Sequence, residues 1–216
     1  MRVTPEELAS RYPVLYHMAE GGSLENIQKL GLLSTSALLE RFEVNGDRRF
    51  GIESARWPEI VVLEHTEHGR ALVQDNKPMH ESVLERCLAG MTPREWYETL
   101  NRRVFFWVER KRLVRLLGAK AYRDRPHLVL ELETAESLRR HEEKVSVSPI
   151  NSGATFTMNR TPRGPNTFRR IGDHPRGKAV VEVTVDYGVP DARELVLSAS
   201  RWHSAEMLGE VQSRSG

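Results

Sequence analysis

The chain has 216 residues, of which 29% are charged and 39% hydrophobic, a balance that indicates a folded protein with a charged surface and excludes a disordered one. No apolar run approaches the length of a membrane span, and the first residues lack the apolar segment of a signal peptide, so we expect a cytoplasmic protein without membrane contact. A single cysteine, Cys87, excludes an internal disulfide and a zinc site made of several cysteines.

The net charge of +2 conceals an uneven distribution of charge along the chain. Residues 1–100 contain 11 Lys and Arg against 16 Asp and Glu, whereas residues 101–216 contain 21 against 14. The basic excess is concentrated in residues 102–125 and 160–178. Two basic segments in one part of a fold indicate a surface for a polyanion, such as a nucleic acid or a dinucleotide pyrophosphate. The alternative is that they form solvated helix faces and a basic loop.

Short helices alternate with short strands along the first hundred residues. The phrases Thr4-Pro-Glu-Glu7 and Thr92-Pro-Arg-Glu95 each predict a helix start, with a capping box and a proline at the first helical position. Gly31 predicts the end of a helix that begins after Ser23. The predicted helices cover residues 4–12, 23–31, 36–44, 82–89 and 92–100, and the predicted strands cover 14–18, 59–65 and 70–74, with a turn at 45–47.

The second half of the chain continues this alternation. Residues 101–108 form an aromatic-rich segment in which Arg102 and Arg103 precede the aromatic residues, and aromatic side chains on both faces predict a central strand. Short elements without regular βαβ spacing favour an α+β fold with an antiparallel or mixed sheet, in one domain covering residues 1–216. No glycine-rich nucleotide-binding phrase occurs, which disfavours a Rossmann or P-loop site. The other predicted elements are helices over 109–117 and 134–140 and strands over 128–133, 144–148, 178–186 and 194–198.

Three residues near the predicted hairpin turn have metal-binding side chains. They are His65, Glu67 and His68. Their order lacks the one-turn helical spacing that places two ligands on one face, so we expect no metal site.

Glu182 interrupts a valine-rich run over residues 178–186 that is typical of a buried strand. A buried carboxylate must be paired, face a cleft or have a raised pKa, because an unpaired buried charge is costly. On a rigid strand such a group is a candidate catalytic residue. The alternative is an edge strand on which Glu182 alternates out to water.

The segment before this strand has no hydrophobic period. Residues 149–176 are polar and rich in glycine, proline, asparagine and arginine. Because the segment is too long for a plain connection, it indicates a functional or mobile loop.

Three separated segments occur in a recognisable order. The first is Leu15-Tyr-His17 with Ser23-Leu-x-x-Ile-x-x-x-Gly31-Leu-Leu-Ser34, the second is Val104-Phe-Phe-Trp-Val108, and the third is Val181-Glu-Val-x-Val185 with Val189-Pro190. In this order they resemble the DarT-like ADP-ribosyltransferases, within the wider ADP-ribosyltransferase fold. Residues 45–95 have no counterpart in the resemblance and would be a family-specific insertion.

The resemblance implies an α+β fold in which two small antiparallel or mixed sheets, flanked by short helices, form a cleft for NAD. His17 and Ser23 would bind the ribose and nicotinamide end. Arg102 or Arg103 would face the pyrophosphate, and Phe105 or Phe106 would line the nicotinamide pocket. No metal is implied. The implied residues are Glu182 and Arg103 for catalysis; His17, Ser23, Arg102, Phe105, Phe106, Ser148 and Asn151 for NAD; and Thr155, Arg160, Arg163, Arg169 and Arg170 for the acceptor, in a substrate-recognition loop over 149–177.

The implied chemistry fits a glutamate. Cleavage of the bond between nicotinamide and ribose passes through an oxocarbenium-like state, which requires a fixed carboxylate near the developing positive charge. Glu182 would hold the ribose 2′-hydroxyl and stabilise that charge, or deprotonate the incoming nucleophile.

Three features depart from relatives within the fold. Val180 stands where enzymes that modify arginine or Rho proteins carry Glu or Gln, which disfavours a protein side chain as acceptor. The aromatic strand has Phe-Phe-Trp where toxins of the fold often use tyrosine, which leaves the stacking residue open. The RNA 2′-phosphotransferases use arginine and histidine in place of a glutamate, so Glu182 favours ADP-ribose transfer.

The leading hypothesis is an NAD-consuming mono-ADP-ribosyltransferase that modifies a nucleobase in DNA, RNA or a free nucleotide. A toxin or defence role would imply an antitoxin or an ADP-ribosyl hydrolase as partner, and a housekeeping role is the other option. The alternatives are an NAD glycohydrolase, with water as the acceptor, and a catalytically silent nucleic-acid-binding module.

Overall fold

A computed structural model describes residues 2–76, 78–155 and 161–213 of the chain. The protein has an α+β fold, as the sequence predicts, with a large antiparallel sheet and short helices around it. The helices are α1 (Pro5–Arg11), α2 (Leu24–Leu30), α3 (Thr35–Arg41), α4 (Gly46–Glu53), α5 (Glu81–Cys87), α6 (Pro93–Asn101), α7 (Arg110–Leu117), α8 (Thr134–Arg140) and α9 (Ala192–Leu195). The strands are β1 (Val14–Glu20), β2 (Leu32–Leu33), β3 (Val61–His65), β4 (Gly69–Val73), β5 (Arg103–Trp107), β6 (Pro126–Glu133), β7 (Val145–Ser148), β8 (Glu182–Asp186), β9 (Gly188–Val189), β10 (Val196–His203) and β11 (Glu206–Ser213).

Within the described residues, seven strands form the main sheet in the order β11-β10-β6-β1-β5-β8-β7, and every neighbouring pair is antiparallel. The main hydrophobic core covers one face, where α1, α2, α8 and α9 pack on the strands. A smaller cluster on the other face packs α7 against β1 and β6. The aromatic strand β5 is central, which confirms its predicted position, but only the face of Val104 and Phe106 is fully buried.

The sheet is nearly split between β1 and β5. These strands are joined in register at one residue pair, Tyr16 with Trp107, whereas β1 and β6 pair along their whole length. The expected pair of small sheets is therefore one continuous sheet whose two parts diverge beyond this contact. The divergence opens a cleft between the ends of β1 and β5.

Local sequence signals account for several helix ends. The capping boxes at Thr4 and Thr92 are both formed, which confirms the two predicted helix starts. Gly31 ends α2 with a φ of 80°, a conformation that favours glycine. A Cβ atom at this position would lie 2.6 Å from the Pro190 Cα and the Val189 carbonyl oxygen, so the close approach of β9 also requires glycine here.

Several predicted boundaries are wrong. The strand β1 continues to Glu20, so His17 lies in its middle and not at its end. The predicted turn at 45–47 is the start of α4, because Asn45 adopts the extended N-cap conformation and asparagine favours caps as well as turns. The predicted strand over 178–186 is shorter in the structure. Its ladder, β8, begins at Glu182, because the four preceding residues still belong to the irregular loop.

The end of the chain differs most from expectation. Residues Ala192–Leu195 form α9, so the predicted last strand begins later, at Val196. It then extends to His203 and forms a hairpin with β11, which the sequence did not predict. Among the helices of residues 2–76, 78–155 and 161–213, none is both long and apolar enough to cross a membrane.

The described residues of the segment over 45–95 include helices and a hairpin, and the hairpin forms a wall beside the sheet. The predicted hairpin is confirmed as β3 and β4, and its inward side chains join α3 and α4 in a second hydrophobic cluster. Lys29 of α2 donates to the Glu67 carbonyl over 2.7 Å, and Asn26 donates to the His68 carbonyl over 3.4 Å. These bonds fix the hairpin turn against α2 and define the far side of the cleft.

Candidate active site

A cleft of about 610 Å³ lies where β1 and β5 diverge. Its volume is within the range of roughly 300–1,000 Å³ that ligand pockets usually have. The ends of β1 and β5 and the start of β8 form one wall, and α2 with β4 forms the other. Side chains from distant parts of the sequence therefore meet around one space.

Glu182 is the central carboxylate of this wall. It is the first residue of β8, which lies between β5 and β7, and it is only 3% exposed. The alternative of an edge strand with Glu182 in water is therefore wrong. Strand alternation places Glu182 on the face opposite the main core, directly across from Trp107 in the register.

Ser152 holds the Glu182 carboxylate. The Ser152 backbone N–H lies 3.1 Å from Oε1 and 3.3 Å from Oε2, and the Ser152 hydroxyl donates to Oε2 over 2.7 Å. An ionised carboxylate offers about four acceptor sites. These contacts therefore leave acceptor capacity, especially on Oε1, for a ligand.

Burial is the largest influence on the protonation of Glu182. It raises the pKa of the carboxyl group to about 7, although the Ser152 hydrogen bonds and the positive charges of Arg163 and Arg112 act in the opposite direction. A carboxyl with a pKa near neutrality can exchange a proton during a reaction at physiological pH. Such a group is a candidate catalytic residue.

His17 bridges the two parts of the sheet. Its Nδ1 lies 2.9 Å from the Phe105 carbonyl oxygen, and because a carbonyl can only accept, Nδ1 carries the proton. Burial lowers the pKa of His17, so the ring is neutral at pH 7. Its Nε2 is then an acceptor on a residue that lines the cleft, suited to a hydroxyl or amide donor.

Phe105 and Arg103 complete the sheet wall. The Phe105 ring is half-buried and meets Phe168 edge to face, with 6.0 Å between ring centroids. Arg103 lies over the same Phe168 ring at 4.7 Å, and its Nε lies 3.3 Å from Asp186 Oδ1. The guanidinium of Arg103 is thus held in place by an aromatic ring and a carboxylate while it lines the cleft.

The structure brings about half of the sequence-predicted site residues together. Ser23 begins α2 at the rim, and its hydroxyl makes no capping bond. Phe106 contacts the cleft but is almost fully buried in the main core. The predicted residues that line the cleft are His17, Ser23, Arg103, Phe105, Phe106, Asn151 and Glu182.

Other predicted site residues have structural partners away from the cleft. The Ser148 hydroxyl bonds the Ile150 backbone in a tight turn. The Thr155 hydroxyl accepts from the His80 N–H over 2.7 Å. Arg102 is exposed at the end of α6, outside the cleft lining. The expectation that these three residues contact NAD or the acceptor therefore has no support in their placement.

Arg163 was predicted to bind the acceptor, but it is buried and supports the loop itself. Its guanidinium donates to the carbonyls of Thr161, Asn151 and Ala154. Its backbone also pairs with Cys87 and Ala89 at the end of α5. A side chain whose donors are used in this way is not available to a phosphate.

The remaining arginines of the loop are more exposed. Arg169 donates to the Asn166 carbonyl and lines a second, smaller cleft of about 340 Å³. Arg170 is exposed and donates to the Val145 carbonyl over 3.1 Å. Arg160 lies outside the described residues.

The sequence reasoning missed a polar cluster at the far end of the cleft. Arg125 lies 2.8 Å from Asp75 and 3.3 Å from Glu20, and both carboxylates line the cleft. Opposite the sheet, Lys29 of α2 and the exposed Arg70 of β4 contribute positive charge. These residues lie far apart in sequence, so no local pattern indicates them. Among the residues described, no group of three or more His, Cys, Asp or Glu is arranged to hold a metal ion.

Comparison with protein-family models matches residues 13–196 to a family of unknown function, DUF7002. The chain belongs to this family. Comparison with curated proteins finds no match. The DUF7002 match includes both His17 and Glu182 and the hairpin wall between them, but it ends at the first residue of β10. The cleft therefore lies wholly within the DUF7002 region, and its chemistry must be argued from its side chains.

Proposed function

We propose that this DUF7002 protein is an NAD-consuming mono-ADP-ribosyltransferase with an ADP-ribosyltransferase-like fold. It transfers ADP-ribose to a nucleobase of DNA, RNA or a free nucleotide and releases nicotinamide. The observation that carries the proposal is Glu182, a buried carboxylate with open acceptor capacity and a pKa of about 7 on the wall of the cleft. The near split between β1 and β5, which opens that cleft, supports the proposed fold.

The proposed reaction breaks the bond between the ribose C1′ and the nicotinamide nitrogen. The pyridinium nitrogen takes the electron pair of that bond and leaves as neutral nicotinamide, while positive charge develops on the ribose. Ionised Glu182 stabilises that charge through the ribose 2′-hydroxyl. The acceptor nitrogen then forms the new bond to C1′, and its proton leaves to Glu182 or to solvent.

The other residues of the cleft are suited to positioning the dinucleotide. The His17 Nε2 accepts from a ribose hydroxyl or the nicotinamide amide, and the half-buried Phe105 offers an aromatic surface to the nicotinamide ring. Arg103 and Arg70, from opposite walls, supply positive charge for the pyrophosphate. Positioning of this kind can account for a large part of the rate of a transfer reaction.

The deciding experiment compares nicotinamide release from NAD by the wild-type protein and the Glu182→Gln variant, with and without single-stranded DNA or RNA. We expect the substitution to reduce release at least about 100-fold, since it removes the charge that stabilises the transition state. Glu210→Gln, an exposed carboxylate on β11, is the matched control and should retain full activity. Circular dichroism checks that each variant is folded.

The outcomes separate the candidate activities. Release that depends on Glu182 and rises with nucleic acid, with mass added to the nucleic acid, supports the transferase. Nicotinamide release that depends on Glu182 but does not change when nucleic acid is added indicates a glycohydrolase. If the folded wild-type protein releases no nicotinamide under any of these conditions, the proposal fails.

A further inference from the structure

Two exposed aromatic side chains lie outside the cleft. Phe50 of α4 is 49% exposed, and Tyr187, between β8 and β9, is 46% exposed. Helix α6 connects them, since Arg94 near its start lies over the Phe50 ring and the carbonyl of Arg102 at its end accepts from the Tyr187 N–H. The two rings therefore belong to one region of the surface.

Tyr187 is held in an unusual backbone conformation. Its φ is 63°, in the left-handed region that bulky side chains rarely adopt. Its N–H donates to the Arg102 carbonyl over 2.7 Å, and its carbonyl accepts from the Ser34 N–H over 2.9 Å. A strained residue that is fixed on both sides indicates a position with a function. Here the constraint presents an aromatic ring to solvent.

Arginines accompany both rings. The Arg94 guanidinium lies 5.1 Å from the centre of the Phe50 ring. Arg94 pairs with Glu98, and Arg49 pairs with Glu53, each over 2.8 Å.

Arg102 supplies a further positive charge to this surface. It is exposed, and within the part of the chain that the structure describes it forms no ion pair with a carboxylate. Arg49 and Arg94 each have a glutamate partner, so Arg102 is the arginine of this group that remains available to a phosphate.

This surface borders the cleft. Asn101 and Ser34 line the cleft, and each is tied to the aromatic region. The Asn101 side chain donates to the Ile52 and Glu53 carbonyls at the end of α4, and Ser34 holds Tyr187. The aromatic region therefore adjoins the cleft through Asn101 and Ser34.

We propose that this aromatic–arginine surface, defined by Phe50, Arg94, Arg102 and Tyr187, binds single-stranded nucleic acid beside the cleft. Unpaired bases stack on the two rings, and the backbone phosphates contact the arginines, which is the combination that single-strand-binding surfaces use. An acidic peptide would use the arginines but would have no use for two exposed rings. The proposed binding does not depend on the transferase function, whereas delivery of a nucleobase to Glu182 rests on that proposed function.

Fluorescence anisotropy with labelled single-stranded DNA and RNA of mixed sequence tests the surface directly, without NAD. Tyr187→Gly removes the ring and also suits the left-handed backbone, so it preserves the fold. We expect this variant and Phe50→Ala each to weaken binding at least about fivefold, the lower end of the effect of losing one stacked base. Tyr187→Phe keeps the ring and should bind like the wild type.

A separate variant, with its own controls, tests the contribution of positive charge to nucleic-acid binding. Arg102→Gln should weaken binding to DNA and RNA and reduce the slope of log affinity against log salt by about 0.7, as expected for one lost phosphate contact on a single strand. The matched controls are Arg201→Gln, an exposed arginine on β10, and Met207→Ala, an exposed apolar residue on β11. Both controls should bind like the wild type.

Three results would contradict the proposal that this surface binds single-stranded nucleic acid. One is wild-type affinity in folded Tyr187→Gly and Phe50→Ala variants. The others are a duplex that binds as tightly as the single strand, and a polyglutamate peptide that competes at equal charge. Failure of the transferase is distinguishable, because Glu182→Gln should bind the oligonucleotide normally. If the protein binds nucleic acid through this surface but releases no nicotinamide, the proposed surface stands and the proposed transferase activity fails.

Discussion

The start of β8 and the loop that covers it each bury a charged side chain, but the two charges have different surroundings. Glu182 faces a cleft, and among the described residues its hydrogen bonds come from Ser152 alone. Arg163 donates to three backbone carbonyls and fastens the loop to α5. Burial alone therefore does not identify a functional charge. The useful criterion is whether the buried group keeps hydrogen-bonding capacity toward a cleft.

Replacement of Arg163 should give the largest effect on stability. Arg163→Met leaves the carbonyls of Thr161, Asn151 and Ala154 without their charged donor, and each such bond contributes about 1.5–3 kcal/mol. We expect the free energy of unfolding to fall by about 4 kcal/mol, measured by urea denaturation. Arg170→Met, which removes an exposed arginine from the same loop, should cost less than about 1 kcal/mol.

The proposed contrast between Glu182 and Arg163 would fail if Arg163→Met and Arg170→Met were equally stable. It would also fail if Arg163→Met kept its stability and lost affinity for nucleic acid, because Arg163 would then act on a ligand and not on the loop.

The pH dependence of the free energy of unfolding should also distinguish Glu182 from Arg163, with a smaller effect. The pKa of Glu182 is about 7 in the folded protein and close to the ordinary value of 4.5 in the unfolded chain. Between these two values the folded state binds more protons than the unfolded state, so the free energy of unfolding falls as the pH rises from about 4.5 to 7. At 1.36 kcal/mol per pKa unit, the loss is at most about 3 kcal/mol.

Glu182→Gln has no titrating group at this position and should lack that slope. The difference between the two unfolding curves, measured at several pH values, isolates the effect of Glu182. Nicotinamide release should change in the opposite direction and rise with pH through about 7, because the ionised form stabilises the transition state. Equal slopes in both proteins would mean that Glu182 is not buried in solution.

The sequence predicts the strand of Glu182 well but not its partners. β-Branched residues around position 182 indicate a buried strand, and a carboxylate there is conspicuous. Ser152, however, lies 30 residues away in an irregular loop, and no periodicity places an irregular loop in space. The polar group of Glu20, Asp75 and Arg125 is not predicted either, because its members lie far apart in the sequence.

The loop shows the limit of reasoning from composition. Its many arginines predict a functional or mobile loop, yet composition cannot tell an arginine that faces solvent from one that, like Arg163, binds backbone carbonyls. The strand β11 was missed for a different reason. Its side chains are mostly exposed and Gly209 interrupts them, so the period-two alternation of a half-buried strand is absent.

The smallest predicted effect concerns Ser152, the residue that links the loop to Glu182. Ser152→Ala removes the hydroxyl that donates to Oε2 but keeps the backbone N–H. Since both hydrogen bonds lower the pKa of Glu182, loss of one should raise it further. We expect nicotinamide release at pH 7 to fall about fivefold, corresponding to roughly 1 kcal/mol for one hydrogen bond.

The pH profile decides how Ser152 acts. If the hydroxyl stabilises ionised Glu182, the rates of Ser152→Ala and the wild type should converge well above pH 7, where the carboxylate is ionised in both proteins. Ser213→Ala, an exposed serine at the end of β11, should follow the wild-type profile throughout. A Ser152→Ala rate that is reduced equally at every pH would instead show that the hydroxyl positions the loop. In that case the start of β8 and the loop would be coupled through geometry and not through the charge of Glu182.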